Sequence, residues 1–270
     1  MSMTFSAAAI AALVFDIVFA IALPVGMLLY LRKRYGCGLK CFFIGAGVFL
    51  LFVLVLENLA HAGVAASPLK PVLMGENYWA FGLYGGLMAG LFEELGRFAA
   101  FQTVLKNQRD KDYNALMYGA GHGGIEVMIV MLPTMITYLI YAILLNTGNG
   151  AVLTSGMDAA TIETVQTTMQ SVAALPAWQL LISPVERIAA VIAHLSLSVI
   201  VWFAVKNHRA AYLLLAIVLH ALLDAVTVFL NYSLGSILIV ECGAWVIALC
   251  IAVIARRIWK QNSCAAVDMG

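Results

Sequence analysis

Seven long apolar stretches dominate this sequence. A helix that crosses the hydrocarbon core of a bilayer needs about 20 mostly apolar residues. The stretches that meet this length are 7–31, 41–63, 77–105, 113–145, 184–205, 211–231 and 234–255. Of the 270 residues, 63% are hydrophobic and only 11% are charged, whereas about 25% are charged in ordinary soluble domains. The sequence therefore predicts an all-α fold: a polytopic transmembrane helical bundle with about seven spanning helices.

The basic residues predict how the chain is oriented. Twelve lysines and arginines fall in alternate connections and in the C-terminal tail, whereas the opposite connections contain only Lys70. Because cytoplasmic connections are enriched in lysine and arginine, we expect the N-terminus outside and the C-terminus in the cytoplasm. Neither a repeat nor a Pro/Ser-rich linker divides the chain. We therefore expect one integral membrane domain over 1–270, with its site helices at 77–231, in a cytoplasmic or inner membrane.

Composition also bears on the partners. The net charge of +1 argues against a nucleic-acid partner, since such proteins usually carry a strongly basic surface. The lipid bilayer is the predicted environment of the chain, and a membrane peptide or protein is its predicted substrate. The sequence indicates no oligomeric state.

Ionisable residues inside the predicted spanning helices share one depth. Counted from the nearest basic residue at the cytoplasmic side, Glu94, His122, His194 and His220 all lie 11 or 12 residues inside their helices. That distance is about 16–18 Å along a helix. Ionisable groups are costly inside a membrane and usually mark a function. Histidines that only filled packing positions would have no reason to share a depth, so the sequence predicts one common site.

Spacing along the helices points to a metal. His122 and Glu126 are four residues apart, as are His220 and Asp224, so each pair lies on one helix face. Such pairs supply two ligands, or one ligand and the carboxylate that orients it. Together with His194, these residues are the predicted metal-binding set. Imidazoles and carboxylates are what catalytic zinc uses, so Zn²⁺ is the predicted cofactor.

Glu93, Glu94 and Arg97 are the predicted catalytic residues. Adjacent positions on a helix point about 100° apart, so the two glutamates should have different roles. We expect one to act as a general base, and the other to pair with Arg97 or with a neighbouring helix.

The glycines around His122 leave two interpretations open. They could permit close packing of helices, or the close approach of a peptide backbone or ligand. The glycines are Gly119, Gly121, Gly123 and Gly124.

Three motifs resemble, in order and spacing, those of the CAAX-protease and bacteriocin-processing superfamily of intramembrane metalloproteases. The superfamily patterns are E-E-x3-R, F-x3-H and H-x3-N/D, and the YhfC-type membrane peptidases and the PrsW-type site proteases are similar. The corresponding residues here are Glu93-Glu94-x2-Arg97, Tyr118-x3-His122 and His220-x3-Asp224. Two features depart from the patterns, since the arginine comes one residue early and a tyrosine replaces the phenylalanine.

The resemblance implies a helical core that holds a glutamate-and-histidine zinc site. It implies that Glu93 is the general base, that His122 and His220 are metal ligands, and that Asp224 lies near or on the metal. The predicted role of His194 as a metal ligand comes from its depth alone, because the superfamily pattern is weak on the helix that carries His194.

These observations favour a zinc-dependent intramembrane endopeptidase that cleaves a membrane-embedded or membrane-adjacent peptide or protein. One alternative is a non-catalytic membrane scaffold or binding protein whose His/Glu cluster holds helices together. Another is a proton- or metal-coupled transporter, although the chain lacks the repeated halves common in transporters. A scaffold needs no base beside its ligands, so the paired glutamates favour the peptidase.

Overall fold

The computed structural model describes residues 4–263, and within this range the chain is helical and contains no β-strand. Residues 1–3 and 264–270 of the predicted domain lie outside the described residues. A π-helical turn (Phe52–Glu57) joins α2 to α3. The α-helices are α1 (Ala7–Tyr35), α2 (Leu39–Leu51), α3 (Asn58–Ala65), α4 (Lys70–Leu73), α5 (Tyr78–Gln102), α6 (Asn114–Asn146), α7 (Ala159–Ala173), α8 (Ala177–Leu180), α9 (Ile182–Lys206), α10 (Ala210–Leu234) and α11 (Ile237–Asn262).

Six helical stretches among the described residues are long and apolar enough to cross a membrane, which confirms the all-α polytopic bundle. They are Ala7–Tyr35, Leu39–Ala65, Asn114–Asn146, Ala177–Lys206, Ala210–Leu234 and Ile237–Asn262. The seventh predicted span, α5, has 25 residues, but Glu93, Glu94 and Arg97 lower its hydropathy. Its membrane crossing and the orientation of the termini stay predictions. The protein is an integral, multi-pass membrane protein.

The chain divides into two compact units. One comprises Met1–Leu23 and Val127–Arg187, and the other comprises Pro24–Glu126 and Ile188–Gly270. In the first unit, Asp158 caps α7, because its side chain accepts hydrogen bonds from the backbone N–H of Thr161 at 3.0 Å and from the Thr161 hydroxyl at 2.8 Å. Every predicted site residue belongs to the second unit.

In the second unit, a stripe of glycines allows α5 to lie directly against α10. Gly82, Gly86 and Gly90 are spaced four apart and are buried. A Cβ atom at Gly90 would lie 2.7 Å from the backbone oxygen of Ile217 and 3.1 Å from the backbone nitrogen of Ala221. Small residues at such positions let membrane helices approach closely. The next turn of α5 carries the paired glutamates, so this packing brings them to α10.

The glycines around His122 are used in close helix packing. A Cβ atom at Gly119 would lie 2.9 Å from the Cα atom of Leu195, and one at Gly123 would lie 3.2 Å from the Cβ atom of His194. The beginning of α6 therefore lies against α9 along this edge. The other two glycines of the group also meet neighbouring residues, at Phe42 and Pro24.

Candidate metal centre

Glu93 lies among three buried histidines. Its Oε2 atom is 2.8 Å from Nε2 of His122 and 3.7 Å from Nδ1 of His194. Its Oε1 atom is 3.8 Å from Nε2 of His220. All four side chains are buried. One carboxylate on α5 therefore faces imidazoles from α6, α9 and α10.

Glu94 points elsewhere and holds two other groups of the cluster. Its Oε1 atom accepts hydrogen bonds from Nη1 of Arg97 at 2.5 Å and from Nδ1 of His220 at 2.7 Å. An ionised carboxylate only accepts hydrogen bonds, so Nδ1 of His220 is the donor in this contact. Glu94 thus orients the His220 ring so that its other nitrogen, Nε2, faces Glu93.

Arg97 supplies the positive charge of this buried cluster. It is fully buried, and its Nη2 atom lies 3.8 Å from Oε2 of Glu93 while Nη1 binds Glu94. A buried carboxylate without a counter-charge is strongly unfavourable. Two adjacent buried glutamates are therefore stabilised by one arginine a single turn away.

His194 is oriented by a carboxylate and by the same arginine. Its Nε2 atom contacts Oε2 of Glu126, and its Nδ1 atom lies 3.1 Å from Nη2 of Arg97. Because arginine can only donate, Nδ1 of His194 is the acceptor and Nε2 carries the proton. A metal that bound Nδ1 would displace the Arg97 hydrogen bond.

Asp224 forms the most exposed part of the cluster. Its Oδ2 atom is 3.6 Å from Nε2 of His220, and 37% of its side-chain surface is exposed. The side chain of Glu126 is 14% exposed and that of Glu93 is 8% exposed. Access to the cluster is therefore widest beside Asp224.

The donor set fits a metal ion. Glu93, His122 and His194 each offer one ligand atom, and these atoms lie within 4.8 Å of one another. In addition, Nδ1 of His122 is buried without a hydrogen-bond partner among the described residues, and such orphaned groups often mark functional sites. Buried imidazoles beside a carboxylate suit zinc, among other imidazole-binding metals.

A second polar group lies outside the predicted site. Nε2 of His61 is 3.3 Å from Oε1 of Glu57, and Nδ1 of His61 is 2.7 Å from the Tyr84 hydroxyl. Glu57 is buried at the end of the π-helical turn. The four-residue spacing of Glu57 and His61 is a sequence signal for their contact. Tyr84 carries no such signal, because it comes from another helix.

The second unit thus combines paired glutamates on α5 with histidines on α6, α9 and α10. Residues 19–244 match the family described as YhfC intramembrane metalloprotease. The chain belongs to this family. It is 34% identical over 206 residues to "Uncharacterized membrane protein YhfC" of Bacillus subtilis (strain 168), an alignment that covers 76% of this chain and 78% of that relative. No solved structure matches the chain.

Membership in the YhfC family confirms the narrower resemblance that the motifs indicated. The match spans the helices from α2 to α10 that carry the cluster. The wider resemblance to the CAAX-protease superfamily stays a prediction, as do the individual roles of the site residues.

Proposed function

We propose that the protein is a zinc-dependent intramembrane endopeptidase that cleaves a membrane-embedded or membrane-adjacent peptide. One observation carries the proposal: the Glu93 carboxylate lies within 3.8 Å of a ring nitrogen of three different histidines in a buried site. The description of the family as metalloproteases supports it. A base beside several imidazole ligands is the arrangement that metal-assisted hydrolysis requires.

His122, His194 and His220 would hold the zinc ion, because each belongs to a different helix and each has a nitrogen near Glu93. When bound, the ion supplies Lewis acidity and lowers the pKa of water at the site. Glu126 contacts His194, and Asp224 lies beside His220. We assign these two carboxylates to the edge of the centre, where they orient or supplement the imidazole ligands.

Glu93 is the general base in this proposal. It removes a proton from the water whose oxygen attacks the carbonyl carbon of the scissile bond. The same carboxyl group then returns the proton to the departing amine nitrogen as the C–N bond breaks. Arg97 lies 3.8 Å from Glu93 and places a positive charge beside this buried carboxylate.

Glu94 is a positioning residue rather than a base. It already binds Arg97 and His220 through one oxygen atom. Its contact with His220 orients that imidazole, as carboxylates commonly do behind metal-binding histidines. The paired glutamates thus have different roles, as their angular separation on α5 predicts.

A non-catalytic scaffold is the second candidate function. The contact between Glu94 on α5 and His220 on α10 favours it, because the same contact would hold two helices together without any reaction. A scaffold of this kind would need neither a metal nor the Glu93 base.

The test is metal analysis and peptide cleavage on the purified full chain. Elemental analysis should find zinc in the wild type, and a pool of membrane peptides should yield new N-termini detected by mass spectrometry. The Glu93→Gln variant should keep its zinc and lose cleavage by a factor of about 10²–10⁴. Glu163→Gln, an exposed substitution on α7, is the matched control and should change neither property.

Two outcomes would contradict the proposal. A folded wild type that binds no zinc from a zinc-containing buffer would exclude the metal centre. Cleavage that persists in Glu93→Gln at the wild-type rate would exclude Glu93 as the base.

A further inference from the structure

The ends of α6, α9 and α11 that carry basic residues meet in the second unit. Nζ of Lys206, at the end of α9, lies 2.5 Å from Oδ1 of Asp112, which precedes α6. Nδ2 of Asn207 donates to Oδ1 of Asn262, the last residue of α11, at 2.6 Å. These contacts fix the beginning of α6 and the ends of α9 and α11 side by side.

An apolar groove of about 190 Å³ lies between these three helices. Leu116 of α6, Leu195 and Val199 of α9, and Ala252 of α11 supply apolar walls. Arg256 and Trp259 of α11 also line the groove, towards the end of α11. The groove is therefore apolar along its length and has a cation and an indole at the end where the basic residues collect.

Arg256 presents a cation at the groove. Its side chain is exposed, and within residues 4–263 no acidic side chain pairs with it. Arg257 and Lys260 are likewise exposed at this end of α11, so the surroundings of the groove are basic. The negative end of the helix dipole of α11 favours these cations.

We infer that this groove binds one acyl chain of an anionic phospholipid, with the lipid phosphate on Arg256. A guanidinium binds phosphate through two parallel hydrogen bonds, and tryptophan is typical of the level where lipid headgroups begin. Juxtamembrane basic residues select anionic over zwitterionic lipids. A free phosphate ion would leave the apolar walls uncovered, so the lipid fits the whole groove and the ion fits only its mouth.

The groove lies behind the candidate metal centre. Leu195 lines the groove and directly follows His194, which faces Glu93 at 3.7 Å. One turn of α9 therefore presents His194 to the cluster and Leu195 to the proposed lipid chain. The inference itself is independent of the proposed function, because it requires neither the metal nor cleavage.

Native mass spectrometry of the detergent-purified full chain tests the inference. The protein is titrated with phosphatidylglycerol or with phosphatidylcholine of the same acyl chains, and the retained lipids are counted. The wild type should retain one phosphatidylglycerol molecule in preference to phosphatidylcholine. Arg256→Gln should weaken that binding about fivefold, the effect of one basic residue at an anionic headgroup.

Two further variants separate the groove from general surface charge. Arg257→Gln makes the same charge change beside Leu249 and Val253 on a surface formed by α11 alone, and it should have a much smaller effect. Ala252→Phe fills the groove while all charges remain, and it should weaken retention as strongly as Arg256→Gln.

Three results would overturn the inference. The first is equal retention of the two lipids by the wild type. The second is an equal loss in Arg256→Gln and Arg257→Gln, which would indicate diffuse charge. The third is competition by soluble glycerol 3-phosphate as effective as competition by the lipid, which would indicate a phosphate site without a lipid chain.

Discussion

Nδ1 of His220 lies 2.7 Å from Oε1 of Glu94, although the two residues are 126 positions apart in the chain. The contact joins α5 to α10 inside a buried cluster, and Nδ1 of His220 donates to the carboxylate. It orients the imidazole so that Nε2 faces Glu93 at 3.8 Å. In the proposed metal centre, Glu94 therefore determines which nitrogen of His220 faces the metal.

Glu94→Gln should weaken metal binding and cleavage together. The amide offers a neutral oxygen or an N–H group to His220, so the charged contact that orients the imidazole is lost. Losing a carboxylate behind a metal-binding histidine typically costs about 10- to 100-fold in affinity or activity. Competition with a zinc chelator measures the affinity, and Glu163→Gln serves as the control. Unchanged zinc affinity in a folded Glu94→Gln protein would mean that the contact only packs helices.

The stability of the cluster should depend on the Glu94–Arg97 pair as a unit. Removing one partner of a buried ion pair leaves an uncompensated charge and costs about 3–5 kcal/mol. Arg97→Met alone should therefore destabilise the protein strongly, because two adjacent buried glutamates lose their cation. The double variant Glu94→Gln/Arg97→Met should recover part of that loss.

Denaturant unfolding of the two single variants and of the double variant measures this coupling. The expected coupling energy is about 0.5–3 kcal/mol, the usual range for residues in direct contact. Strictly additive effects would show that the two side chains do not stabilise each other, in conflict with their 2.5 Å contact.

Much of the fold follows from the sequence, because the length and hydropathy of a spanning helix are set by the bilayer. The shared depth of Glu94, His122, His194 and His220 comes from counting alone, since the rise per residue is the same in every helix, and it stays a prediction. Residues at one depth on neighbouring helices need only the right rotation to meet. In the structure Glu93 faces the three histidines, whereas Glu94 contacts His220 and Arg97.

The rotation of each helix about its axis could not be predicted. Spacing on α6 pairs His122 with Glu126, yet Glu126 contacts His194 on α9. Likewise, Glu93 is four residues from Arg97, but the closer partner of Arg97 is Glu94 at 2.5 Å. Which carboxylate meets which imidazole depends on close packing between helices, and the packing depends on all the side chains of both surfaces.

The start of α7 should be sensitive to acid. The backbone N–H of Thr161 and then its hydroxyl hold the pKa of Asp158 below its ordinary value. A carboxylate with a lowered pKa in the folded state stabilises the fold above its unfolded pKa, and that stabilisation is lost as the pH falls through the folded pKa. Amide hydrogen exchange at the first turn of α7 should therefore become less protected below about pH 4.

Asp158→Asn provides the control for this prediction. Asparagine also caps helices but does not titrate, so protection of the first turn of α7 should be present and independent of pH in this variant. The same pH dependence in Asp158→Asn and in the wild type would show that another group causes it.

Gly90→Ala should separate α5 from α10. The added Cβ atom would lie 2.7 Å from the backbone oxygen of Ile217, and backbone atoms cannot move aside as a flexible side chain can. Overpacking of this kind costs about 1–3 kcal/mol, more than the roughly 1 kcal/mol that alanine gains over glycine in a helix. Gly85→Ala is the matched control on the same helix, because a Cβ atom there has nothing within 4 Å.

Thermal unfolding should show a lower Tm for Gly90→Ala and an equal or higher Tm for Gly85→Ala. Because the displaced turn of α10 carries His220, zinc affinity should fall in Gly90→Ala and stay unchanged in Gly85→Ala. An equal effect of both substitutions would show that helix propensity, and not the close contact of α5 with α10, determines the result.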